Sequence, residues 1–254
     1  VQGVLAELKS EGVLYAELRF APGQHCQQGL SQENVVAAAC RALAEGCRTL
    51  GIQAQLILCC MRGAPDTQNA ETLRLAREYL GKGVCAADLA GAEALFPTRS
   101  YAPLFAAVPG LPFTIHAGEA DGPESIRAAL AMGAKRIGHG VRCIEDAALV
   151  AELAQKGIPL EVCPTSNLQT CTFADWAHHP LKTLLEAGVK VTVNSDNRTV
   201  SGTTAQKEMA LAAQHLGLSD EQQAQLWLNA VDAAFLPEAQ KQALRAAVQA
   251  RLAG

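Results

Sequence analysis

The sequence predicts an α/β fold built on parallel strands, and three observations carry that prediction. Short apolar runs of strand length alternate with stretches of helix length over most of the chain, which is the pattern of right-handed βαβ units. The run Pro112-Phe-Thr-Ile-His-Ala-Gly-Glu119 is bounded by Pro and Gly and reads as a buried parallel strand that ends in chemistry. Other runs also stop in titratable or amide residues, and parallel sheets gather their sites at the carboxyl ends of their strands.

In order, the chain opens on a helical pattern, Val4, Leu5 and Leu8, closed by Gly12. Val13 to Phe20 alternates and stops at Pro22-Gly23, a strand entering a loop. Ser31 caps an alanine-rich helix that runs to about Leu50, with Gly51 closing it. Gln55 to Cys60 is the next apolar run, followed by a helix from about Ala70 to Leu80. Val84 to Asp88 leads to a short helix near Ala102 to Ala107, Phe113 to His116 to a helix over Pro123–Met132, and Arg136 to His139 to one over Glu145–Gln155. Pro159 to Cys163 leads to Pro180–Glu186, and Val189 to Asn194 to helices near 204–216, 220–234 and 238–252, with Ser219 and Pro237 marking starts.

Seven strands followed by helices fit an open sheet or a barrel lacking one strand. No linker sets the tail apart, so residues 1–254 are expected to form a single domain whose part 203–254 is helical. Val1 is not an initiator Met and leads straight into a helical pattern. The expectation is an amino-terminally truncated copy, which favours the barrel.

At 254 residues, with 49% hydrophobic and 18% charged residues, the composition is globular. A formal net charge of −4 without a like-charged run offers no field for nucleic acid. No run of eighteen apolar residues and no basic-then-apolar leader occur, so neither a membrane span nor export is expected. Nine cysteines, an odd number without a Cys-x-x-Cys pair, read as reduced core thiols. The expected setting is the cytoplasm and the expected partner a small molecule.

The strand ends supply Glu17 and Arg19, Arg62, Asp88, His116 with Glu119, His139, Ser166 with Asn167, and Asp196 with Asn197. Imidazole and carboxylate together suit a divalent ion such as zinc, which in catalytic sites takes about three protein ligands and leaves room for water. His116, His139 and Asp196 are the candidate ligands, Glu119 the candidate acid or base, and Asp88 a residue that would hold a ligand from behind. Spacing does not separate a ligand from a proton-transfer histidine. Glu17 and Arg19 read first as a buried pair, Asp196 alone would read as a turn residue, and His178, His179 and His215 receive no role. Joint occurrence at strand ends is what points to a site.

These residues fall in motifs: Tyr15-Ala-Glu-Leu-Arg-Phe-Ala-Pro22, Asp88-Leu-Ala-Gly-Ala-Glu93, His116-Ala-Gly-Glu119, Arg136-Ile-Gly-His-Gly140, Glu161-Val-Cys-Pro-Thr-Ser-Asn167, Asn194-Ser-Asp-Asn-Arg198 and Phe235-Leu-Pro-Glu238. In this order they resemble the bacterial adenosine deaminases of the zinc amidohydrolase type. The resemblance implies a (β/α)₈ TIM-type barrel with one Zn²⁺ per chain and extra C-terminal helices. It implies conversion of adenosine and 2′-deoxyadenosine to inosine and ammonia in purine salvage. His116 and Asp196 would be metal ligands, Glu119 the proton donor to the purine, and His139 the group that orients and deprotonates the metal-activated water. Gly91 would offer its backbone amide to the purine and Asn197 would meet the other edge, with Asp88 and Ser166 as supports.

Two departures stand out. Many family members carry Asp at the position of Asn197, and the family's His-x-His zinc ligands of the first strand have no match, since no His-x-His occurs in this chain. Half the zinc ligands would thus be retained, and the chain alone is expected to fold poorly and to be inactive, because an opened barrel exposes unpaired edges. A deaminase of adenine or another aminopurine and a metal-free purine-binding pseudoenzyme stay open as alternatives. A nucleotide-binding dehydrogenase is disfavoured, because no Gly-x-Gly-x-x-Gly follows an early strand.

Overall fold

The computed structural model describes residues 1–252, which form two compact units, Val1–Thr114 and a second from Ile115 onward. The first contains helices α1 (Gln2–Ser10), α2 (Gln32–Leu50), α3 (Asp66–Glu78) and α4 (Ala102–Ala106). Its strands β1 (Tyr15–Phe20), β2 (Gln53–Met61) and β3 (Val84–Ala90) form a parallel sheet in sequence order. Five consecutive buried residues in β2, Leu56 to Cys60, and six in β3, Val84 to Leu89, are the signature of strands covered on both faces. The Ser31 hydroxyl accepts from the Asn34 backbone N–H in a capping box that starts α2, and Gly51 at φ 63° ends it.

The second unit carries strands β4 (Thr114–Ala117), β5 (Arg136–His139), β6 (Leu160–Val162) and β7 (Val191–Val193), again in sequence order. Between and after them come α5 (Pro123–Met132), α6 (Ala147–Lys156), α7 (Pro164–Gln169), α8 (Leu181–Glu186) and α9 (Arg198–Ser201). Then follow α10 (Ala205–Leu216), α11 (Asp220–Ala233) and α12 (Glu238–Leu252). The pairs β5/β6 and β6/β7 are parallel, as a chain of βα units requires.

The amino-terminal end of β5 ties the sheet to the C-terminal helices. Arg136 Nε lies 2.6 Å from Glu161 Oε1 on β6, its Nη1 donates to Ala233 O at 2.8 Å, and its guanidinium sits 3.8 Å from the Phe235 ring centroid. Asn229 on α11 donates to Val191 O at 2.9 Å. Among the described residues, no helix is long and apolar enough to cross a membrane. All nine cysteines are free thiols.

The seven expected strands are the seven strands among the described residues. Helix α3 starts at Asp66, four residues before the expected Ala70, directly after Pro65. Helices α7 and α9 were not expected, because segments of six and four residues are too short to show a helical period. Ser166 and Asn167, expected at a strand end, therefore stand on α7. Arg19 lies 3.3 Å from Asp88, and Glu17 accepts from the Tyr15 hydroxyl at 2.8 Å.

Candidate active site

In the second unit the ends of β4, β5 and β7 and the short helix α7 bring five of the expected site residues together. His116 stands on β4 with its ring centroid 5.2 Å from that of His139. That approach needs a bare backbone on the neighbouring strand, since a Cβ on Gly138 would lie 3.0 Å from His116 Cα and 3.1 Å from its ring. A side chain there would push the imidazole aside.

Glu119 follows β4 after Gly118. Its Oε1 accepts from Asn167 Nδ2 at 3.0 Å and from the Thr170 hydroxyl at 3.2 Å. Its Oε2 lies 3.4 Å from His139 Nε2. His139 closes β5, is 3% exposed, and has φ +56°, a conformation that non-glycine residues adopt mainly where surrounding contacts force it. Its Nδ1 is 3.1 Å from Asn167 Nδ2.

Asn167 is fully buried and is the hub of this network. Its Nδ2 reaches both Glu119 and His139, while its Oδ1 lies 3.5 Å from His179 Nε2. His179 is itself buried, and its Nδ1 accepts from the Leu181 backbone N–H at 3.3 Å. Burial pulls its pKa down to about 4, because desolvation penalises the charged ring.

Asp196, also at positive φ (+52°), is exposed, and its Oδ2 accepts from the Ser166 hydroxyl at 2.7 Å. The adjacent Asn197 caps α9, accepting from the Val200 backbone N–H at 3.1 Å. One ligating atom each from His139, Cys163 and Asp196 lies within 4.8 Å of the others. Imidazole, thiol and carboxylate are the donor types a zinc ion takes, so the cluster fits such an ion chemically.

Asp88 and Gly91 belong to the first unit. Asp88 is fully buried, facing Arg19 Nε at 3.3 Å and receiving the Cys59 thiol at 3.3 Å. Gly91 follows β3 at φ +107°, and a Cβ there would come within 3.3 Å of Arg62. Both conditions favour glycine at that position.

Three residues of this network and cluster have no role in the sequence reading: Asn167 stands there as a strand-end residue, Cys163 as a core thiol and His179 as a loop histidine. For Asn167 the signal was its place in the Glu161–Asn167 motif. The other two carry no local signal, since their partners stand 12 or more residues away.

Comparison with known proteins bears on this arrangement. A family model described as "Adenosine deaminase" matches residues 3–251. An "Adenosine deaminase" of Haemophilus ducreyi is 49% identical over 99% of this chain and 75% of its own length. Among solved structures, an adenine deaminase from Arthrobacter aurescens superposes with a TM-score of 0.91 at 29% identity, covering 100% of this chain and 78% of that one. An Arabidopsis ADAL protein complexed with IMP gives a TM-score of 0.86 at 28% identity, over 98% of this chain and 75% of that one.

Proposed function

This chain belongs to the adenosine deaminase family, and from that premise we propose that it hydrolyses adenosine and 2′-deoxyadenosine to inosine and ammonia. Its fold class is α/β, of the (β/α)₈-barrel type with additional C-terminal helices. The observation that carries the reading is the Glu119 carboxyl, held at Oε1 by Asn167 and Thr170 and facing His139 through Oε2. With Oε1 accepting both hydrogen bonds, the transferable proton belongs on Oε2, its O–H turned to the purine and an Oε2 lone pair left facing His139 Nε2. Glu119 gives it to the purine nitrogen beside the amino-bearing carbon, which breaks aromaticity and makes that carbon electrophilic. Water adds there; one of its protons departs with the amino group as ammonia and the other restores the Glu119 carboxyl.

His139 orients that water. An amide Nδ2 can only donate, so His139 Nδ1 accepts from it, and the neutral ring carries its proton on Nε2. In this resting tautomer the ring presents its Nε2–H toward that water. His116 and Asp196 are the proposed ligands of a zinc ion from this chain, with the Ser166 hydroxyl fixing the Asp196 carboxylate, while His139 and Cys163, whose ligand-type atoms lie within 4.8 Å of that of Asp196, line the same end without being assigned as ligands. A bound zinc would supply Lewis acidity that lets water deliver hydroxide near neutral pH. Asn197 is the proposed contact to the base. The working partner is a small purine nucleoside, a reading supported by the IMP in the Arabidopsis neighbour. The working compartment is the cytoplasm, where nine free thiols stay reduced.

The test uses the purified full-length gene product: zinc content, and loss of adenosine absorbance as inosine forms. Glu119→Gln should lower kcat by about 10²–10⁴-fold while zinc content and thermal midpoint hold, since the amide keeps the shape and lacks the proton. Turnover of adenine but not adenosine would move the substrate. Absence of both zinc and turnover would leave a purine-binding protein.

A further inference from the structure

His179 lies outside every role assigned above, yet it touches the hub of the network. Its ring meets Phe173 edge-on, with centroids 5.5 Å apart, and Trp176 at a tilt, 6.0 Å away. Trp176 is stacked in turn on His215, 4.9 Å away and 9° from parallel. Pro180 has no backbone N–H, so the first amide beyond it, that of Leu181, turns back to His179 Nδ1 at 3.3 Å.

We propose that His179 is a positioning residue: it sets the amide orientation of Asn167, and through that amide the ring tautomer of His139 and the donor side of Glu119. This rests on the deaminase reading for its consequence in turnover, but not for its geometry. A backbone N–H can only donate, so Nδ1 of His179 is bare and its proton sits on Nε2. That Nε2–H faces Asn167 Oδ1 at 3.5 Å, with both residues buried. Turning the amide over would set N–H against N–H at His179 and oxygen against the Glu119 carboxylate. In the observed orientation the two hydrogens of Nδ2 go to Glu119 Oε1 and His139 Nδ1. Polarity therefore runs one way, from the Leu181 amide to the catalytic pair. Burial keeps the His179 ring neutral at physiological pH, as this sense requires.

Two variants of the full-length protein test this. His179→Phe keeps an aromatic ring between Phe173 and Trp176 and removes both nitrogens, whereas His179→Gln keeps a donor at the Nε2 end and an acceptor for Leu181. The ¹⁵N shifts of the His139 ring, read without substrate, should report a single Nε2–H tautomer in the wild type and in His179→Gln, and a mixture in His179→Phe. The Phe variant should lose about 10–100-fold in kcat with KM within about twofold, and the Gln variant should recover most of it. A Phe variant with the wild-type tautomer, or a folded Gln variant with a mixed one, overturns the proposal even where the Phe variant does not fold. Tautomer mixing in a protein that never deaminates adenosine would refute the deaminase reading and leave the positioning role intact.

Discussion

The two ends of β5 are equally buried and do opposite work. At one end Arg136, 6% exposed, meets Glu161 at 2.6 Å, a backbone carbonyl at 2.8 Å and an aromatic face, on an ordinary backbone. At the other, His139, 3% exposed, sits at positive φ and faces Glu119 at 3.4 Å, beside an exposed Asp196. The first end closes on itself, each charge neutralised in place. The second holds positive-φ backbone and longer contacts among the groups proposed to exchange protons or take a cation. Burial does not separate a structural ionic site from a reactive one; closure does.

The strongest way to break this contrast is at the closed end. Arg136→Ala leaves Glu161 buried without its partner and should lower stability by about 3–5 kcal/mol, with kcat per folded molecule unchanged. Urea unfolding alongside active-site titration reads both. Pairing Arg136→Met with Glu161→Leu should recover most of the loss, because an apolar pair needs no desolvation repaid. A fall in kcat in proportion to the stability loss would erase the distinction between the ends.

Acid provides the next test. An ordinary imidazole titrates near 6.5 and His179 near 4, so the unfolded chain takes up its proton first as pH falls. Stability should drop between pH 6.5 and 4, by about 3 kcal/mol from this group. The same titration in His179→Gln should be flatter, and in Arg136→Ala it should keep the wild-type slope.

Gly138 lies between the two ends. Gly138→Ala places a methyl about 3 Å from His116 and should reduce kcat by about 10²-fold through displacement of that ring, with a smaller effect on stability. The smallest effect is expected from Ser166→Ala, which removes one 2.7 Å hydrogen bond from Asp196. Zinc affinity should weaken by about tenfold, as measured by competition with a chelator.

Much of the fold was legible because its signals are local. Ser31 and Gly51 bracket α2, and Pro123 and Gly133 bracket α5, each through a cap or a left-handed residue within one turn. Helix α7 was not legible, although it carries Ser166 and Asn167, because six residues after Pro164 hold less than two turns of pattern. His116, Glu119, His139 and Asp196 could be read as site candidates because each interrupts or ends an apolar run. Asn167 and His179 could not be given their parts, since an amide and a loop histidine look alike in solvent and in a network.

By itself, then, the sequence determined the succession of strands and helices and the residues that stand at the strand ends, because caps, periods and run lengths are properties of neighbours along the chain. Only the tertiary structure decided who meets whom. It brought Asn167 to Glu119 across 48 positions and to His139 across 28, and it turned His179 toward the same amide. The reason is physical: a buried polar atom must be satisfied by whatever packing brings within about 3 Å, and packing is decided by the whole unit at once.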